Sequence, residues 1–272
     1  MTAIFEAMKK ISIYPLLFSS ILGFAQAKDL EAVFEAADGG SKVALYDLGV
    51  RYGSGRDVKE DNELANQYYA KSALLGYAPA QNNLGWSYRQ GIATAKNPTK
   101  ALYWFRLAAL QGNALALQNL GEMFQQGEGV VRDIQIARSF FVLCATDTIA
   151  EISGREAGFN NAIHECRREV GKIDAIAAED DQKGLKRAAM WFTVALSKDK
   201  DALKDSEIGL RARRSRKETA ELLKKVNEKL DENSKKWVKE MVTDWNSIRI
   251  AIKDRTPFPL IHEDCFNAEK SL

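Results

Sequence analysis

Two short pairs in this chain bring together residue types that bind metals or form crosslinks: His164-x-Cys166 and His262-x-x-Cys265. They use both histidines and two of the three cysteines, Cys144 being the third. Imidazole nitrogen and thiolate sulfur from two such pairs would complete a tetrahedral zinc site. Cysteines of an exported chain more often pair as disulfides, and both readings stay open on spacing alone. A different chemistry is written in Ser197-x-x-Lys200, the spacing at which a lysine serves an acylating serine. That match lies in the charged run Ser197 to Lys204, with no Ser-Asp-Asn or Lys-Thr-Gly elsewhere, and lysine-rich sequence produces it by accident. Gly53/Gly55 and Gly127/Gly129 resemble phosphate cradles, but neither continues as Gly-x-Gly-x-x-Gly, and each falls between two helical patterns. They read as turns. No catalytic residue, cofactor site or metal site is assigned.

Charge narrows the partners. A formal net charge of +2 in 272 residues favours neither nucleic acid nor an acidic substrate. The one dense basic stretch, Arg211, Arg213, Arg214, Arg216 and Lys217, stands next to Glu218 and Glu221 and reads first as a solvated helix junction. Its functional alternative is contact with an anionic polymer or an acidic partner.

What must position any site is a repeat. Leu48-Gly49, Leu84-Gly85 and Leu120-Gly121 recur every 36 residues. The same offset links Ala44, Ala80 and Ala116, then Tyr52, Tyr88 and Phe124, then Gly55, Gly91 and Gly127. It continues through Ala65, Ala101 and Ala137, through Tyr68-Tyr69, Trp104-Phe105 and Phe140-Phe141, and through Ala73, Ala109 and Ala145. Ala44, Leu48 and Tyr52 lie at i, i+4 and i+8, one face of a helix. Glycine then breaks the helix, and Ala65, Tyr68, Tyr69 and Ala73 form the apolar face of a second. Neither helix buries its stripe alone, so the units must stack.

These residues resemble the Sel-one-like repeat family, relatives of the tetratricopeptide repeats. Its pattern runs Ala-x-x-x-Leu-Gly-x-x-Tyr-x-x-Gly-x-Gly, then Ala-x-x-Trp-aromatic-x-x-Ala-Ala-x-x-Gly. The unit from Ala116 through Gly129 to Ala145 follows it except in its aromatics, whereas the second unit has Ala93 at the last turn glycine. The resemblance implies an all-α fold, an α/α solenoid forming a right-handed superhelix of antiparallel hairpins, used for protein–protein contacts. Some cysteine-rich exported members act on β-lactams, which makes a β-lactam-binding or hydrolysing envelope protein the alternative function. The same members staple positions near Cys144 and Cys166.

Half-units flank the core. Ala36, Ala37 and Gly40 lie 36 residues before Ser72, Ala73 and Gly76, so residues 28–40 are expected to supply a capping second helix. Ala188, Trp191-Phe192 and Ala195 look like a fourth second helix, with Cys166-x-x-x-Val170-Gly171 as its first helix and about fifteen residues inserted before it. Ser215 and Glu218 read as a capping box opening a helix through Leu222, Val226 and Leu230. The repeat array is thus expected over 28–213, with a helical cap and irregular tail over 214–272. Before it, Lys9-Lys10, the fourteen apolar-rich residues Ile11 to Phe24 and Ala25-Gln26-Ala27 form the three parts of an export signal. That stretch is shorter than the ~20 residues a spanning helix needs. Cleavage after Ala27 would leave a periplasmic or secreted protein that does not span the membrane.

Two sites follow. Positions two residues beyond each repeat alanine point about 200° away from the packed face. They give Tyr46 and Val50, Asn82, Trp86 and Arg89, then Gln118, Glu122 and Gln125, which differ between units while the packed positions repeat. Stacking would align them into one surface for another protein or for cell-wall material, with Trp86 beside Arg89 as its anchor. The second is a disulfide. Cys144 takes the place of Ala108 and Ser72, and Cys166 that of Ala116 and Ala80, small residues where successive helices approach closely. A Cys166–Cys265 bond is the rival pairing.

Overall fold

The period of 36 residues becomes a period of helices. The computed structural model of the chain describes residues 29–146, 157–197 and 207–243, and every regular element among them is α-helical. Helix α1 covers 29–38. It is followed by α2 (Lys42–Ser54), α3 (Asn62–Leu74), α4 (Ala78–Gln90), α5 (Pro98–Leu110), α6 (Ala114–Gln126), α7 (Ile134–Ala145), α8 (Ala157–Ala178), α9 (Gln182–Ser197), α10 (Glu207–Lys229) and α11 (Glu232–Thr243). The fold is an α/α solenoid, as the repeat pattern implies. The chain divides into two compact units, the first ending at Lys96 and the second beginning at Asn97.

Each helix starts and stops where side chains make it. The oxygens of Ser41, Asp61, Asn97, Asn113 and Asp133 accept from amides in the first turns of α2, α3, α5, α6 and α7. Such caps satisfy amides that lack an intrahelical partner, each contributing about 1 kcal/mol. At the other end, Gly55, Gly91 and Gly127 close α2, α4 and α6 in the left-handed conformation, at φ of 67°, 76° and 73°. Two residues further on, Asp57, Ala93 and Gly129 also have positive φ, of 64°, 51° and 73°. This turn demands left-handed backbone twice, and the second repeat, after α4, meets the demand with a strained alanine, Ala93.

In the first unit, α1 packs as the missing second helix of a preceding hairpin. Leu30, Val33, Phe34 and Ala37 cover Ala44, Leu45 and Leu48 of α2. The buried Arg51 guanidinium fixes that contact, donating to Asp47 at 2.8 Å, Asp57 at 2.7 Å and Asp29 of α1 at 2.5 Å. Hydrogen bonds to Asp47 and Asp29 hold its pKa above the usual arginine value despite burial. Within the α2–α3 hairpin, the ring of Tyr69 lies against Gly49 so closely that a Cβ there would sit 2.6 Å from it. Tyr52 stacks on Tyr68 with centroids 5.6 Å apart.

The second unit repeats both contacts. Gly121 of α6 faces Phe141 of α7, and Phe124 stacks on Phe140 at 5.7 Å. The degenerate fourth hairpin keeps the device: Gly171 of α8 faces Phe192 of α9, with one residue more between them than in the earlier hairpins. Arg138 of α7 reaches the buried Asp174 of α8 with two bonds of 2.8 and 2.9 Å. Helices α10 and α11 then cover the fourth hairpin, with Val226, Leu230 and Val238 packed on Ala178, Leu185, Ala188 and Phe192.

One expectation is overturned. Ser215 does not cap a helix, because α10 starts eight residues earlier at Glu207 and Ser215 is buried inside it. The capping-box pattern is only two residues long, and a continuous amphipathic stripe overrides it. Position 213, where the array was expected to end, also falls within α10.

Two substitutions test these contacts. Ala93→Gly relieves the left-handed strain and should stabilise the protein by roughly 1 kcal/mol. Gly121→Ala gains helix propensity worth up to about 1 kcal/mol but puts a Cβ against Phe141, so a net loss of about 1–2 kcal/mol is expected. Urea-unfolding midpoints should move in opposite directions; an unchanged or raised midpoint for Gly121→Ala would contradict the packing argument.

Candidate functional site

The row expected to face a partner lies on first helices, and its members meet different fates. In the first unit Trp86 projects from α4 with 43% of its surface exposed, and the Arg89 guanidinium lies 5.9 Å from its ring centroid. On α2, Tyr46 is half-buried between Tyr69 and Tyr77, at centroid distances of 5.9 and 5.3 Å. Val50 is half-buried. Behind them Tyr69 hydrogen-bonds to Asn83, and burial pushes its phenol above the ordinary tyrosine range. Val43, one turn before Tyr46 and 54% exposed, belongs to the same patch. It was missed because the alanine-plus-two rule starts at residue 46; its i, i+7 spacing to Val50 was the available signal.

Asn82 and Arg89 correct the expectation of an exposed row, for both are buried, at 6% and 5% exposure. The Asn82 amide donates to Asn83 at 3.3 Å. A helical wheel considers one helix alone, whereas burial is set by the neighbours packed around it in space. The free strip then narrows to about one residue per turn, which here is Trp86.

In the second unit the equivalent residues serve internal contacts. Gln118 donates to Glu122 at 2.9 Å, and Gln125 donates to Glu169 of α8 at 3.3 Å. The Gln125 carbonyl accepts from Arg132 at 2.9 Å. All three members of this row are half-buried.

Cys144 and Cys166 form a disulfide joining the end of α7 to α8, with Cα atoms 6.0 Å apart. The rival Cys166–Cys265 pairing is thereby excluded. The bond also removes the Cys166 thiolate from any zinc set, and His164 instead sits with Nδ1 2.8 Å from the carbonyl of Ala195. His262, Cys265 and Lys200 lie outside the described residues, as do the side chains of Ser197, Arg211 and Arg213. Of the remaining basic stretch, Arg214 pairs with Glu218 at 3.4 Å and Arg216 donates to the Leu196 carbonyl at 2.9 Å.

The sequence that builds these paired helices matches a known repeat family. The Sel1 repeat model matches residues 42–77, 78–113 and 114–143. A Sel1 repeat protein from Oxalobacter formigenes is 34% identical, the match covering 42% of this chain and 88% of that one, with a TM-score of 0.41. The chain belongs to the Sel1 repeat family. A second solved structure, a protective antigen of uropathogenic Escherichia coli displaying an SLR fold, is 21% identical over 76% of this chain and 56% of that one, with a TM-score of 0.42. No curated protein matches the sequence. Sel1 repeats commonly mediate protein interactions, and their family members are generally non-catalytic scaffolds.

In this Sel1 repeat protein the disulfide bridges a sequence separation of 22 residues. Closing a loop of that size lowers the entropy of the unfolded chain by the equivalent of about 3 kcal/mol in the chain-entropy model. Replacing both cysteines by alanine should cost about that much in urea unfolding under oxidising conditions and nothing when the parent is compared fully reduced. Non-reducing peptide mapping should recover the 144–166 crosslink; free thiols at both positions in the oxidised protein would refute the assignment.

Proposed function

We propose that this Sel1 repeat protein is an exported scaffold of the cell envelope that holds another protein, or cell-wall material, on the first-helix face of its first unit. The observation that carries this reading is Trp86, a large aromatic left 43% exposed with the Arg89 guanidinium against its ring. Val43, Tyr46 and Val50 give α2 of the same unit an apolar and aromatic face that is exposed or half-buried. A rigid aromatic supported by arginine is the residue mix that concentrates binding energy at interfaces. The equivalent position in the second unit is Glu122, hydrogen-bonded to Gln118, so the two units are not interchangeable as binding faces.

Export is supported by the Lys9-Lys10, Ile11–Phe24 and Ala25-Gln26-Ala27 pattern. The Cys144–Cys166 bond fits an oxidising compartment, where such bonds persist. No helix among the described residues is long and apolar enough to cross a membrane.

A photo-crosslinking amino acid at position 86 in the full chain should trap a discrete partner species in envelope fractions. Trp86→Ala should weaken capture of that species by roughly ten- to a hundredfold, as loss of a hot-spot residue does. Undiminished capture by Trp86→Ala would remove this face as the site, and full-length chain retained in the cytoplasm would remove the export reading.

A further inference from the structure

The described residues contain three buried side-chain atoms without a hydrogen-bond partner: Nε2 of His164, Nε of Arg168 and Oγ of Ser215. All three belong to the junction of α8, α9 and α10. The last turn of α9 ends in carbonyls that the helix cannot satisfy by itself. His164 of α8 takes the carbonyl of Ala195 at 2.8 Å, and Arg216 of α10 takes the next one, Leu196, at 2.9 Å. Arg168, one turn along α8 from His164, donates to Glu218 of α10 at 2.9 Å and also pairs with Glu165. Ser215 adjoins Arg216 on α10 and is 6% exposed.

The hydrogen bond to Ala195 fixes the form of the imidazole. A carbonyl only accepts, so Nδ1 carries the proton and Nε2 holds a bare lone pair in a buried place. A second proton would create a cation in a residue 7% exposed, with no acceptor facing Nε2. The charges facing the ring are Glu165 and Arg168 of α8 and Arg216 of α10, while α9 offers the Ala195 carbonyl. Burial, aided by the two guanidiniums, outweighs Glu165 and the carbonyl and holds the ring below the ordinary histidine range. The other acid locked inside this unit, Asp174, which Arg138 of α7 reaches and Arg187 of α9 approaches at 4.0 Å, lies about 15 Å further along α8.

We propose that His164 is a proton-operated latch whose second protonation loosens the seat of α10 on α8 and α9. A second proton sets the ring's charge against Arg216, whose bond to the Leu196 carbonyl seats α10 on α9, while the Cys144–Cys166 bond, two residues from His164, holds α8 to α7 covalently. The sign follows from linkage. A solvated ring titrates near 6.5 and the seated one lower, so the latch is fully closed above that pH and weakens as pH falls through it. At pH 5.5 a solvated imidazole is about tenfold more protonated than neutral, which bounds what the open form gains.

Hydrogen exchange of the full chain at pH 7.5 and 5.5, corrected for intrinsic rates, tests this. Amides of α10 from Arg214 to Val226 should open more often at the lower pH, by up to about tenfold, while α2 and α3 stay unchanged. His164→Asn keeps a donor near the Nδ1 position and has no basic nitrogen, so it should abolish the difference. Should that variant fail to fold, the wild-type His164 ring signal decides by NMR: its titration must coincide with the change in α10 exchange. Equal protection of α10 at both pH values, the same rise in His164→Asn, or ring titration without change in α10 would each overturn the latch.

Discussion

Gly49, Gly121 and Gly171 each lie under a ring of the partner helix, Tyr69, Phe141 and Phe192, at distances that leave no room for a Cβ. This contact sets how near the two helices of a hairpin come, and the rest of the repeat is adjusted to it. Flat rings fit the gap and small alanines line the remaining approach: Ala65, Ala101, Ala137 and Ala188 are all buried to within 2%. The stacked pairs Tyr52–Tyr68 and Phe124–Phe140 occur one turn further along the same seam, where the helices still run close. Because the spacing is set by backbone-to-ring contact, a hairpin tolerates change everywhere else. The fourth one has lost most of the consensus and gained an insertion, yet keeps Gly171 against Phe192.

Hairpins built this way carry little information about which neighbour they stack on, since every apolar seam resembles every other. Buried charge pairs supply that information. Arg51 reaches back to Asp29, and Arg138 reaches forward to Asp174, each linking a hairpin to the helix beside it. Without Arg138 the buried Asp174 would keep only Arg187, at 4.0 Å, so a slipped register there is costly even though the pair adds little net stability. The disulfide performs the same task where the chain is interrupted by its insertion, between α7 and α8.

The fold was legible because its signal is redundant: a period of 36 residues repeated in alanines, glycines and aromatics survives local exceptions. The disulfide was legible for the same reason, since Cys144 and Cys166 occupy small-residue places in that register. What failed were short signals and facing directions. The two-residue capping box at Ser215 lost to a helix that began earlier. Asn82 and Arg89 were placed on the surface by a wheel that knows one helix, whereas their burial depends on neighbours in space. The N-cap series Asp61, Asn97 and Asp133 was present at the same 36-residue interval and passed unread, because cap residues are polar and the search followed apolar ones.

Equivalent positions therefore diverge between the two units. The row that carries an exposed tryptophan in the first unit carries, in the second, glutamine and glutamate tied to each other and to Glu169 of α8. Polar residues that satisfy one another across first helices lower the incentive for any partner to displace them, since each broken bond must be replaced. An exposed tryptophan has the opposite balance: water gains by being released from it, and the guanidinium at its ring restrains its motion before binding. The repeat thus specifies a frame in both units. On the function proposed above, the substitutions at the exposed strip are what would make one of them the favourable surface for a partner.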